Sequence, residues 1–425
     1  MRNLEGKRLL LLGGGLWKEA IYEYARKNKI CLVATGNSSN SGIFKIADET
    51  YLVDSTDSEN MKKLIKDKKI DGVYMGGAEP VISAACQYIN ELNMPCYCTK
   101  KQWDYLQNKV EFKKLCLKFG LPVVPQYDLD ENTLYTLPDE AYPVITKPSD
   151  GCGSSGFSFC PDYEALKCGY EKAKNSSPSG SVIIEKFAKN DAVVVFYTFS
   201  NGKMYFSGLE DKYPVHYENE GTYVAGLVTF ESRWTDEFRD LFEDKIENMM
   251  QAIGIKEGSL WIEVFHDCGK YYFNEVGFRY GGTATMYAVD YFYHINQVAS
   301  DIYYALTGES CIKGHLSLIP DNTPKKKHYG IYMIYLDEGK ITKISGVEDI
   351  LSLENVVVMP ASYGVGDTIY QTGSFFQVYA RVQIVYDTPE ELSSTVDYVH
   401  EHLKVLDEHG NNMVHRMLDL SAVDM

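Results

Sequence analysis

The first hundred residues repeat one unit: a short apolar run, a glycine-marked turn, and a segment with apolar positions at helical spacing. Residues 8–12 (RLLLL) stop at Gly13, Gly14 and Gly15 and lead into WKEAIYEYARKN. ICLVATG at 30–36, TYLVD at 50–54 and DGVYMGG at 71–77 follow, and the last runs into VISAACQYINELN. Strands that alternate with helices build a parallel sheet covered by those helices. Residues 1–108 therefore read as a doubly wound α/β domain, a class that receives ligands at the carboxyl ends of its strands.

The pattern changes near residue 109. From 143 to 276 strand runs alternate with turns (YPVITKP, SGFSFC, SVIIEKF, AVVVFYTFSNGKMYFSG, SLWIEVFHDCGKYYFNEV). SNGK at 200–203 and DCGK at 267–270 carry hairpin-turn chemistry, so this part is expected to be mainly antiparallel sheet. TDEFRDLFEDKIENMMQAIG at 235–254 reads as a helix closed by Gly254. After a Pro- and Lys-rich stretch at 320–327, a third, α+β unit spans 325–425 and closes with the helix TPEELSSTVDYVHEHLKVL. At roughly 100–200 residues per domain, 425 residues accommodate these units.

Composition removes several classes of function. The formal net charge of -17 opposes a phosphodiester backbone, and the one dense basic run, Lys325 to Lys327, is short, so nucleic acid is not an expected partner. No apolar run approaches the roughly 18 residues of a membrane span and no signal-like segment opens the chain, which is read as cytoplasmic. Ten cysteines without C-x-x-C spacing suggest neither a disulfide framework nor a zinc site.

Three constellations carry chemistry. In YPVITKPSDGCGSSGF a strand delivers Lys147 to a loop containing Gly151, Gly153, Ser154, Ser155 and Gly156. Such a loop can curl its N–H groups around polyphosphate oxygens, although it lacks the Gly-Lys-Ser/Thr and following helix of a Walker loop. Glu263 in LWIEVF and Glu275 in FNEV sit mid-strand among apolar residues, where a carboxylate is costly to bury without a cation. Paired across a hairpin, they offer oxygens to Mg²⁺. Arg279, four residues beyond Glu275 and ahead of Gly281 and Gly282, can bring a guanidinium to a phosphoryl group.

In this order the pieces resemble the ATP-grasp superfamily, in the branch holding biotin carboxylase, the purine-pathway ligases and the L-amino acid ligases. The similarity also takes in ADETYLVD at 47–54, GGAEP at 76–80, NKVEFKKLCLKFGLPVVP at 108–125 and VIIEKFAKN at 182–190. It implies a two-lobed ATP-grasp core over 109–319 with antiparallel sheets and a mobile lid at about 142–187. Lys109 and Lys147 would be the ATP-site lysines, and 149–156 the phosphate loop. Glu185 would accept from the adenine amino group, while the backbone of Lys186 and Phe187 reads the ring edge. Glu263 and Glu275 would bind Mg²⁺, with Mn²⁺ as an alternative, and Arg279 would be catalytic. One departure stands out: the family's Glu-x-Asn-x-Arg reads Glu275-Val276-Gly277-Phe278-Arg279 here, so a metal ligand is missing and a second Mg²⁺ is in doubt.

The function implied is a Mg-ATP-dependent ligase that activates a carboxylate as an acyl phosphate and joins it to an amine, releasing ADP and phosphate. Its partners would be small-molecule carboxylates and amines, with no membrane, and the resemblance suggests a homodimer. Glu79 faces either the second substrate or only the helix dipole. Rival readings are a purine-pathway-like ligase, a biotin-carboxylase-like carboxylase, against which stands the lack of a Met-Lys-Met segment, and an inactive ATP-binding regulatory module.

Overall fold

The computed structural model describes residues 1–38, 41–149, 156–188, 191–216, 223–267, 269–418 and 420, and of 191, 216 and 223 the backbone alone. The N-terminal sheet is wholly parallel, in the order Glu49–Leu52, Cys31–Gly36, Arg8–Leu11, Gly72–Tyr74. Three of its strands end at or near glycines, and the edge strand Glu49–Leu52 does not. Gly76, at φ 74°, lies so close to the first turn that a Cβ there would sit 2.7 Å from the Gly13 Cα. This approach brings the carboxyl ends of the first and last strands together, at the start of helix Glu79–Glu91.

The larger sheet has nine antiparallel strands. Lys270–Gly277 pairs with Gly258–Asp267, then follow Asp191–Ser200, Lys203–His216, Tyr223–Phe230, His328–Leu336, Val378–Tyr386 and Val356–Val358, and the ninth strand, Val414–His415, pairs with the end of His328–Leu336. Both expected hairpins are present, and helix Thr235–Ala252 is followed by Gly254 at φ 75°. Phe238, Phe242, Ile246, Met249 and Met250 of that helix are buried in the core beneath the sheet.

A separate four-stranded sheet forms the small lobe, in the order Gln126–Tyr127, Val182–Lys186, Val144–Pro148, Ser158–Cys160, backed by helix Tyr163–Ser176. It has a core of its own, including Leu134, Val144, Cys160, Leu166 and Ile184. Gln126–Tyr127 is the edge strand that completes this sheet. The C-terminal unit is joined to the core. Its strands extend the main sheet, and Leu227 from the core shares a cluster with Tyr332, Val382 and Leu392. Among the described residues no helix is long and apolar enough to cross a membrane.

Helix Gln297–Thr307 docks the parallel domain onto the main sheet, and it passes Gly72 closely: a Cβ there would meet the Ala305 carbonyl oxygen at 2.5 Å. Backbone atoms cannot yield as a side chain can, so Gly72→Ala is expected to destabilise the chain by about 1–3 kcal/mol. A urea titration followed by far-ultraviolet circular dichroism checks this.

Candidate functional site

Asn108 caps helix Lys109–Lys118, its side chain accepting from the N–H groups of Val110 and Glu111, 3.0 Å each. The cap fixes the helix start, and the i, i+4 spacing sets Lys109 and Lys113 on one face. Lys109 reaches Glu275 at 3.3 Å. Lys113 is 2% exposed and is paired with Glu185, which is fully buried in the small-lobe strand Val182–Lys186. Lys147, from the neighbouring strand Val144–Pro148, holds the other Glu185 oxygen at 2.7 Å, and Gln126 donates to the carboxylate at 3.0 Å. Burial, then repulsion from Lys109, lowers Lys147 to about 8. Burial, then repulsion from Lys147, lowers Lys113 further.

Inside the protein the Glu185 carboxylate meets Lys113 and Lys147 and accepts from Gln126. The N–H groups of Lys186 and Phe187 are likewise donated to the Pro125 and Pro143 carbonyls, at 3.0 Å each. Of the expected phosphate loop, Gly151, Gly153, Ser154 and Ser155 lie outside the described residues. Gly156 is described at φ 76°, a backbone conformation that suits glycine.

Glu263 and Glu275 stand directly opposite one another in the register of the hairpin, so their side chains share a face. Immediately beyond them the register shifts, Val264 pairing with Phe273, which leaves Asn274 as the extra residue of a bulge. The bulge turns Asn274 into the site instead of away from it. Its amide donates to Glu263 at 2.7 Å and accepts from Lys147 at 3.2 Å. Lys212, from strand Lys203–His216, binds the other Glu263 oxygen at 2.8 Å. Burial disfavours the Glu263 carboxylate, but Lys212, Asn274 and Lys147 outweigh it and lower its pKa. In the same cross-strand row, beyond Val194, lies Glu210, 3% exposed and pushed up to about 8 by burial.

The donor set suits a hard cation: two carboxylates on one face, one of them kept ionised by its surroundings, fit Mg²⁺, which completes its shell with water and phosphate oxygens. Among the described residues no group of three or more His, Cys, Asp or Glu is disposed to hold a metal. Arg279 follows the hairpin and is met by Glu79 of the parallel domain, Nη2 at 2.7 Å and Nε at 3.1 Å to one oxygen. Its guanidinium lies 5.3 Å from the Trp261 ring centre.

Lys113, Lys212, Glu210 and Asn274 were not singled out from the sequence. Lys113 sits four residues after Lys109, a spacing that carried a usable signal, whereas Glu210 and Lys212 flank Asp211 in a charged run that shows no alternation. Because two buried lysines lean on Glu185, Glu185→Gln is expected to cost about 3–5 kcal/mol at neutral pH. The loss should shrink as pH rises through 8, where Lys147 surrenders its charge and needs no counter-ion. Denaturant unfolding of wild type and variant across pH 6–9, order of magnitude from the linkage of proton binding to stability, measures it.

Residues 108–194 match the family model described as "Carbamoyl-phosphate synthase L chain, ATP binding domain". The chain is 21% identical over 286 residues to dapdiamide A synthase of Enterobacter agglomerans, covering 63% of this chain and 64% of that one. The matches span less than two thirds of the length of such curated relatives. Among solved structures, the biotin carboxylase domain of Hydrogenobacter thermophilus 2-oxoglutarate carboxylase, described in complex with MgADP, ADP and bicarbonate, superposes with a TM-score of 0.77 at 17% identity, over 96% of this chain and 91% of that one. L-amino acid ligase from Bacillus licheniformis gives 0.72 at 18% identity, over 95% and 99%. The parallel domain, the two-lobed core and these likenesses together show the ATP-grasp fold, with a segment at 108–194 similar to an ATP-binding domain.

Proposed function

We propose that this chain is a Mg-ATP-dependent, ADP-forming ligase that joins a carboxylate to an amine. The observation that carries the reading is the convergence of Lys109, Lys147, Glu263, Glu275 and Arg279, drawn from both lobes, on one side of the main sheet. Lys109 and Lys147 hold nucleotide phosphates, their charge suited to polyanionic oxygens. A cation held by Glu263 and Glu275 would neutralise charge on the phosphates and help to orient them. Arg279 stabilises the oxygens of the phosphoryl group in flight.

In the first step a substrate carboxylate oxygen attacks the terminal phosphorus, the bond to ADP breaks, and ADP leaves. In the second the amine nitrogen attacks the acyl carbon, phosphate departs, and the nitrogen loses a proton. Glu79 holds Arg279 until phosphoryl oxygens compete for the guanidinium, so its part in this reading is to position Arg279. An amide or peptide bond is the product this reading favours, in keeping with the amino acid ligase likeness.

Lys147 is half-protonated near pH 8 in the free protein, and phosphates beside it raise its affinity for the proton. Binding of a nonhydrolysable ATP analogue at pH 8 is therefore expected to take up protons, and affinity to fall as pH climbs past 8. Calorimetry in buffers of different ionisation enthalpy reads the uptake, which Lys147→Met should abolish.

The reaction itself is tested with hydroxylamine. Supplied with Mg-ATP, the correct acid and no amine, the protein should yield ADP, phosphate and the hydroxamate of that acid, detected by mass spectrometry. Arg279→Ala should suppress hydroxamate and phosphate together by at least ~100-fold, the scale for losing one preorganised charge stabiliser. AMP and pyrophosphate as products would sink the acyl-phosphate mechanism.

A further inference from the structure

Gly277 stands where the resemblance expects a metal-ligating asparagine, and the structure shows what fills the space. Gly277 pairs directly with Trp261 in the hairpin. A Cβ built on Gly277 would lie 2.3 to 2.4 Å from Cε2, Cζ2 and Nε1 of the Trp261 indole. No side chain fits at 277 while that ring is in place. The nearby amide does not take over the missing role either, because Asn274 directs its oxygen to Lys147 and its nitrogen to Glu263.

The indole is also poised beside the chemistry. Trp261 is two residues from Glu263 on the same strand face, and the Arg279 guanidinium packs against its ring. Its Nε1–H is buried and has no hydrogen-bond partner among the described residues. A buried donor without an acceptor calls for an explanation, and beside a phosphoryl-transfer arginine the natural acceptor is an oxygen that arrives with the ligand.

We propose that this site binds one divalent cation with its nucleotide, and that the indole N–H of Trp261 takes an oxygen of the terminal phosphoryl group where a second cation would otherwise stand. The inference rests on the ligase reading in requiring ATP at this site, but it does not require turnover. The indole supplies a fixed, uncharged donor to the phosphoryl oxygens, leaving Arg279 and a single cation to carry the charge.

The test counts Mn²⁺ bound to the full chain by electron paramagnetic resonance, in the presence of a nonhydrolysable ATP analogue. One Mn²⁺ per chain is expected, and two would overturn the proposal while leaving the ligase reading standing. Trp261→Phe keeps an aromatic ring at this position and removes the N–H together with part of the indole bicycle. It should still bind one Mn²⁺, with affinity for the triphosphate analogue ~10-fold weaker and affinity for ADP unchanged, as for loss of a hydrogen bond to a charged group. Equal triphosphate affinity, or an equal loss for ADP, would overturn the role of the indole. Failure of the wild-type chain to bind the analogue at all would instead remove the ligase reading, and this inference with it.

Discussion

One fully buried carboxylate, Glu185, holds the two lobes in register. Its two lysines come from different bodies: Lys113 from the helix at the entrance of the core, Lys147 from the small lobe itself. An uncompensated charge at this depth is too costly to tolerate, so the lobes cannot separate here without exposing all three groups or drawing in water. Lys147 then hands the connection on to Asn274, and Asn274 to Glu263, so that a line of polar contacts runs from the lobe junction to the carboxylates of the main sheet. Lys147, proposed to bind phosphate, and the proposed metal carboxylates are thereby positioned as one unit.

The opposite side of the site is set by the parallel domain. Its topology brings the start of helix Glu79–Glu91 to the carboxyl ends of the strands, and from there Glu79 reaches across to Arg279. The domain that opens the chain therefore governs a residue 200 positions away. Arg279 lies between this carboxylate and the Trp261 ring, which leaves its guanidinium ordered before any ligand arrives.

Much of this was legible in the sequence, and the remainder was hidden for identifiable reasons. The parallel domain showed through because its strands are apolar and its turns glycine-marked. Lys147 showed because a strand delivers it to a Gly- and Ser-rich loop, and Glu263 and Glu275 because carboxylates rarely interrupt apolar strands. Lys113 was concealed in FKKLCLK, where a lysine looks like part of a solvated helix face. Asn274 was concealed by the bulge, since strict alternation places it on the face opposite Glu275. The contact of Glu185 with Lys113 was not visible, because the two lie 72 residues apart and only the tertiary fold joins them. The closure of Gly277 by Trp261 depends on cross-strand register, which no local pattern encodes.

The continuity of the main sheet also constrains how the chain can be made. Strand Tyr223–Phe230 pairs with His328–Leu336, and that strand in turn with Val378–Tyr386, so the sheet is unfinished until nearly the whole polypeptide has been synthesised. During that interval the edge at Tyr223–Phe230 presents unpaired backbone groups together with Leu227, Val228 and Phe230, the kind of edge that recruits strands from other nascent chains. A chain interrupted after residue 320 would leave the main sheet open along the edge at Tyr223–Phe230. The last hundred residues thus act on solubility during synthesis as directly as they do on the architecture of the finished protein.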